Sequence, residues 1–366
     1  MPATRPSSHR TPGVLPDEGV LVIPIGMRRG IRPRRGGVPG PRIVVPSTAV
    51  ADAAARYLAA ASVIDRVSAA AASEPDLVAA MLAYRVDTAG GSPRGAGALA
   101  AVCHPRDWRL DQDERVIADA WVASRGVVFA ACAAVEFWTI NGSVSSNVTV
   151  LRSVPGPNAH VDHWDVIGGR VREHLAVASD DDYAAAVAAL MPYRCMPLAR
   201  AATSFLLPTQ HDWVDEDVRD KASGQNGMRL LIHSVNTTAQ LKAVAMRNDL
   251  RYLDAGTLGT ILDGVGSSAH RAMLDWLDYG GVGSTEQKRI LAAIAAIPTD
   301  AAMRSLIERG DRKYVPAALA DAVKRFPRRA NRLLTTASAD AHPASALADE
   351  LLRIHAIPTP SRPERR

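Results

Sequence analysis

At 366 residues and 38.9 kDa the chain has room for two or three ordinary domains or one extended repeat array. Its 47% hydrophobic and 22% charged residues exclude a wholly disordered chain. Aromatics stand at only 5%, and alanine supplies much of the apolar quota, which favours close helix-on-helix packing over a thick sheet core. Three widely spaced cysteines, Cys103, Cys132 and Cys195, with no C-x-x-C pattern, argue against a disulfide frame or a zinc knot and for a reducing compartment. No uninterrupted apolar run reaches the roughly 18 residues of a membrane span. A cytoplasmic protein without a membrane partner is expected.

The basic balance is local. Residues 1–42 carry eight arginines against two acids, Asp17 and Glu18, a net of +6. The whole chain carries +5, so the other 324 residues sum to −1. Residues 1–46, rich in Pro, Gly and Arg and without periodicity, read as a disordered tail. Met27 lies inside it and offers an alternative start.

Helical periodicity begins near Ala49. Ser73-Glu74-Pro75-Asp76 has the form of a helix start, with Ser73 as the cap, leading into Leu77, Met81 and Tyr84. The Gly- and Pro-rich stretch 87–112 reads as a long loop. Ile117, Ala120 and Trp121 stripe one helix, Arg125-Gly126 breaks it, and Val128, Ala131, Val135 and Trp138 stripe the next. The interval 140–165 is the least helical, with a short strand expected within 144–151 and a turn at Pro155-Gly156-Pro157-Asn158. Helices are expected over 166–178, 182–190 and 197–206, then a polar, acidic loop or linker over 208–227.

The end of the chain is the most regular part. Thr237 with Gln240, and Ser284 with Gln287, have capping-box spacing. Apolar stripes follow at Leu258/Ile261/Leu262/Val265, Ile290/Leu291/Ile294, Met303/Leu306/Ile307, Val315/Leu319/Val323, Ala330/Leu333/Leu334 and Leu347/Leu351/Ile354. Short helices with narrow apolar faces become stable by stacking in antiparallel pairs. The expected fold is therefore all-α, an α-solenoid of HEAT- or armadillo-like helix pairs behind a disordered N-terminal tail. Its parts are the tail at 1–46, a helical domain at 47–235 with irregular inserts around 140–165 and 208–227, a helical repeat domain at 236–357, and a disordered end at 358–366.

The segment Asp119-Ala120-Trp121-Val122-Ala123-Ser124-Arg125-Gly126-Val127-Val128-Phe129-Ala130 resembles part of a bacterial family of unknown function related to the molybdate metabolism regulator. Residues 311–316 and 324–330 are similar to its helical-repeat region. The likeness extends over about 49–140 and 240–355. It implies a helical repeat lacking the family's further carboxyl-terminal domain, and no catalytic motif is part of it.

Two candidate sites stand out. His160, Asp162, His163 and Asp165, with Glu173 and His174 one helix on, carry metal-ligand chemistry. The competing reading is a polar loop whose aspartates cap the following helix. Arg325, Arg328, Arg329 and Arg332, with Lys324, form a basic ridge, and the arginines of residues 1–42 offer a second route to nucleic acid. The ridge's plainer role is a charged outer helix face. The acidic runs 180–182 and 215–217 read as solvated helix starts. The acid-flanked Trp213 and Trp276 share a pattern that suits either core residues or partner anchors. No P-loop, G-x-S-x-G or Rossmann glycine pattern occurs, and no cofactor is expected. The leading expectation is a non-enzymatic repeat protein that binds another protein. A metal-dependent enzyme centred on His160, His163 and Asp165 and a nucleic-acid-associated protein are the alternatives.

Overall fold

A computed structural model describes residues 18–40, 42–103, 114–144, 149–153, 165–220, 224–245, 253–279, 282–339 and 345–354. Apart from one two-stranded hairpin, their regular structure is helical, so the chain is all-α. It forms two units: Ile23–Arg289, and Met1–Val22 with Ile290–Arg366.

The larger unit opens with a short helix α1 (Ile25–Arg28), followed by α2 (Ala49–Ala59), α3 (Ala61–Ala69), α4 (Pro75–Val86) and α5 (Pro93–Cys103). The central α6 (Arg115–Thr139) packs against α2 and α5. It is broken where the sequence places the break: Gly126 adopts φ 80°, ψ 169°, a left-handed region open to glycine. Arg125 steadies the kink by lying over the Phe129 ring at 4.2 Å and donating to the carbonyls of Thr88 and Gly91. By length and composition α6 is apolar enough to cross a membrane, which the reading of uninterrupted runs missed. In this fold its two halves form the buried centre of the unit.

The stretch expected as a long loop contains α5, because glycine here serves packing. A Cβ on Gly95 would collide with the Ala80 carbonyl of α4, and one on Gly97 would lie 2.7 Å from the Phe137 nitrogen of α6. Small residues let three helix backbones approach closely, outweighing glycine's poor propensity.

The single expected strand is a hairpin, β1 (Ile140–Val144) antiparallel to β2 (Thr149–Ser153), with Gly142 opposite Leu151. Ser73 does not cap α4. It donates to the Val67 carbonyl and accepts from the Leu151 N–H, while the Glu74 carboxylate takes the Ser153 N–H and hydroxyl, each at 2.9 Å. Ser73 and Glu74 thus tie the hairpin to the helices.

Next come α7 (Asp165–Val177), α8 (Asp180–Leu190), a tight turn of helix at Met191–Cys195, and α9 (Pro197–Leu206). Ser179 caps α8 by accepting from the Asp182 N–H, and the run 180–182 is exposed as expected. The interval expected as a linker over 208–227 instead holds α10 (His211–Asp220) and the start of α11 (Gly224–Leu231). Of its acids Asp217 is buried and pairs with Arg194 and Arg200, a pairing that composition alone does not reveal. After α12 (Thr238–Ala245) come α13 (Ala255–Val265), a helical turn at Gly266–Ala269, α14 (His270–Tyr279) and the first residues of α15 (Ser284–Ile294). The Thr237/Gln240 capping box is reciprocal: the Gln240 N–H donates to Thr237 Oγ1, and the Thr237 N–H to Gln240 Oε1, both at 3.2 Å. The Ser284 box does not form, because Ser284 lies inside the helix and the Gln287 N–H donates to the Gly283 carbonyl. The boundary expected at 235/236 lies inside this unit, and the division between units falls within α15.

The smaller unit stacks α16 (Asp300–Glu308), α17 (Val315–Arg325) and α18 (Pro327–Ala339), with α19 (Ser345–Ile354) on α17 and α18. Thr299 caps α16 by accepting from the Ala302 N–H. Met303, Leu306, Ile307, Val315, Leu319, Val323, Ala330 and Leu334 fill the core, as their spacing requires.

The expected tail divides in two. Residues 1–17 lie outside the described residues, and so do 358–366 at the other end. Residues 18–40 are structured: Ile23, Met27, Ile31 and Arg34 are buried. Isolated apolar residues three or four apart suffice there because a preformed surface receives them and arginine bonds hold the backbone between them.

Candidate functional site

Three networks in the larger unit bury charges on α6, α7 and α10. On α7, Arg170, Glu173 and His174 share one face through their spacing of three and four residues. Opposite them α6 presents Asp119, an acid within an otherwise apolar stripe. Arg170 Nε donates to Asp119 Oδ1 at 2.7 Å and Nη2 to Oδ2 at 3.1 Å. Arg170 Nη1 reaches Glu173 Oε2 at 2.8 Å, and Nη2 also donates to the Val44 carbonyl. His174 Nε2 donates to Asp119 Oδ1 at 2.7 Å. Burial opposes ionisation of Asp119, but the bonds from His174 and Arg170 hold its carboxyl below the usual range. Burial likewise opposes the Arg170 charge, and Asp119 and Glu173 more than offset it. All four side chains are under 10% exposed, so the cluster is a buried ionic clamp between two helices.

Arg172 points off the other face of α7 and is 1% exposed. Its guanidinium meets carbonyls in place of a carboxylate: Nε donates to Pro33, Nη1 to Phe205, and Nη2 to Arg32 and His233, all at 2.8–3.0 Å. It lies 5.0 Å over the Phe205 ring, which in turn meets Trp138 and His233 edge-on. Burial, with Arg34 and Arg32 nearby, pushes the Arg172 pKa well down. Burial, with Arg32 and Arg172 beside it, does the same to His233, whose enclosed Nδ1 has no hydrogen-bond partner among the described residues. These surroundings disfavour the charged imidazole.

The third network centres on Asp217 of α10, whose side chain is fully buried. Arg194 donates to both its oxygens, at 2.9 and 3.2 Å. Arg200 Nε donates at 2.9 Å and Ser204 Oγ at 2.5 Å. Glu216 and Asp220 complete the pairing of these arginines, and Arg194 lies 4.5 Å over Trp213. The run 215–217 is thus not simply a solvated helix start. Trp213 covers an arginine, and Trp276 is a buried helix residue.

Of the metal candidates, His160, Asp162 and His163 lie outside the described residues, and Asp165 opens α7 with its side chain outside them too. Among the described residues no group of three or more His, Cys, Asp or Glu side chains is arranged to hold a metal ion. The structure brings Glu173 and His174 to Asp119 and Arg170. Burial pushes the Cys103 thiol to about 12 and Cys132 to about 11, so neither is a ready nucleophile. Sequence reading missed Asp119, Arg170, Arg172 and Asp217. The available signals were a lone acid in an apolar stripe and three charges at i, i+3, i+4 on α7.

In the smaller unit the basic ridge is partly neutralised. Asp300 accepts from Arg329 Nε at 3.1 Å and from both Arg332 Nη atoms at 2.8–2.9 Å. The side-chain bonds from Arg332 come first among the causes that lower the Asp300 carboxyl's pKa. Glu18 caps α18 from far along the chain, its two oxygens accepting the N–H groups of Arg328 (2.7 Å) and Arg329 (2.9 Å). Lys324, Arg325 and Arg328 remain exposed.

An all-α body locked by buried charge clamps defines a helical structural class. The family model for the YehI second domain matches residues 48–252, more than half of the chain, and the chain belongs to that family. The match includes the segment around 49–140 on which the resemblance was read, while the similarity read over 240–355 lies almost wholly beyond it. No curated protein and no solved structure matches the chain.

Proposed function

We propose that this protein is a non-enzymatic, cytoplasmic helical scaffold that binds another protein in the manner of HEAT and armadillo repeats. The observation that carries the reading is the stack of α16, α17 and α18, each in contact with the other two. Each turns an apolar stripe inward and a polar face outward. The buried charge clamps of the larger unit support it, because rigid helix placement is what a presenting surface needs. The relation to proteins near the molybdate metabolism regulator belongs to this proposal at the level of family alone, and no regulatory activity is carried over.

The test is affinity capture of the intact chain from its native host after nuclease treatment. A triple variant K324E/R325E/R328E would be captured in parallel. A partner retained by the native chain and lost by the variant supports the scaffold. Absence of any reproducible partner overturns it.

The exposed cations Lys324, Arg325 and Arg328 favour a second reading, nucleic-acid association, with the remaining arginines of residues 1–42 as its other route. Anisotropy with duplex DNA and with RNA decides it, because binding must fall with salt and with the triple variant. The metal-enzyme reading on His160, His163 and Asp165 stands or falls on elemental analysis of the purified chain.

A further inference from the structure

Residues 23–40 and α13 both lie outside the span 48–252 of the family match, one on each side, yet they meet in the same unit. We infer that this N-terminal strap and α13 form one conformational unit, which opens and closes along a polar seam against the body, α2–α11 with the turn that follows to Asn236.

The two joints have different chemistry. Between strap and α13 the contact is close and partly apolar. The backbones of Gly30 and Gly256 touch so nearly that a Cβ on Gly256 would strike the Gly30 carbonyl. Gly259 leaves room for Met27 and Ile31, and α1 is a main packing partner of α13. Polar bonds fix the register: the Arg32 N–H donates to Thr260 Oγ1 (2.9 Å) and the Val38 N–H to Asp263 Oδ1 (2.7 Å), while Arg34 Nε lies 3.3 Å from Asp263 Oδ2.

Between strap and body the resolved bonds are made by guanidinium groups on carbonyls and polar side chains. Arg172 of α7 holds the Arg32 and Pro33 carbonyls. Arg34 donates to Val235 and to Asn236 Oδ1, and Arg35 to the Ala178 carbonyl and to Asp180. A buried guanidinium bonded to carbonyls alone gains only a little over what it loses on leaving water, so Arg172 holds the seam with a small net contribution. Opening the seam rehydrates Arg172, which offsets part of the lost bonding, whereas opening the strap–α13 joint exposes apolar surface with no such return. The polar seam is therefore the easier of the two to part, and α13 leaves with the strap, parting also from the Val235 carbonyl that Gly264 backs onto.

Hydrogen exchange of the full-length chain, read by mass spectrometry, tests this with Thr260→Val and Arg172→Met. Arg172→Met cuts the seam. Amides of 30–38 and of 255–265 should then speed up together by about tenfold, the size set by losing roughly one net hydrogen bond, while amides of α4–α6 keep their native rates. Thr260→Val, a milder change that should fold whatever Arg172→Met does, loosens the strap–α13 joint itself, and strap amides should gain more than those of α13. Acceleration of the strap with α13 unchanged in Arg172→Met would overturn the inference. So would an equal acceleration of α4–α6, which would mean that the body and strap open only as a whole.

Discussion

Asp119 of α6 and Arg170 of α7 form a two-bonded ion pair, 2.7 and 3.1 Å, with both side chains under 10% exposed. Removing one member leaves the other charged and buried. D119A should therefore lower stability by about 3–5 kcal/mol in urea unfolding. The double variant D119L/R170M should cost clearly less than the sum of the two single changes. Simple additivity of the singles would show that the pair is not coupled.

Acid should act on this protein in two separate windows. Folded His233 binds a proton less readily than the unfolded chain, where the usual value is about 6.5. Its contribution is present above that pH and is lost as pH falls below it. Asp119, held below its usual value, contributes above about pH 3.9 and is lost only as pH drops through its folded value. The urea midpoint should fall between pH 7 and 5 in the native chain and stay flatter in H233Q, with D119N altering only the lower window.

Glu136 carries the opposite sign. Burial raises its pKa, so ionisation at neutral pH works against the fold, and stability tied to this group is lost as pH rises through the folded value. E136Q, which keeps an acceptor for Tyr193, should raise the urea midpoint at pH 7 and change it little at pH 4. A lower midpoint at pH 7 would show that the negative charge is needed.

Glycine in α5 should be irreplaceable. G97A places a Cβ 2.7 Å from Phe137 N and 2.9 Å from the Ala133 carbonyl, and overpacking of this kind costs about 1–3 kcal/mol. G26A, with nothing within 4 Å, should leave the melting temperature unchanged within error and serves as its control.

The carboxylate of Glu18 should act as a helix cap for α18. E18A removes both acceptors from the Arg328 and Arg329 N–H groups, at a cost of about 0.5–2 kcal/mol. Hydrogen exchange at 328–331 should rise, and E18Q should recover only part of the loss.

How much of this was legible in the residues depends on the range of the force involved. The stripes of α16–α18, the Thr237/Gln240 box and the break at Gly126 were readable because each depends on neighbours three or four positions away. The same local logic misjudged α5, where Gly95 and Gly97 looked like loop residues, and α10, where Asp217 looked solvated with the rest of its run. It also misjudged residues 18–40, whose arginines looked like a free basic tail. In each case the deciding partner is remote: Ala80 and Phe137 for the glycines, Arg194 and Arg200 for Asp217, Arg172 and Asp263 for the strap.

The sequence by itself therefore determined an all-α chain and the apolar stripes of its carboxyl-terminal helices, since periodic burial and breakers act within one or two turns. Tertiary structure alone decided which charges are buried and what they hold. An arginine or aspartate carries the same charge on a surface as in a core. Only the arrival of a distant partner makes its burial favourable, as Arg170 does for Asp119 from 51 residues away.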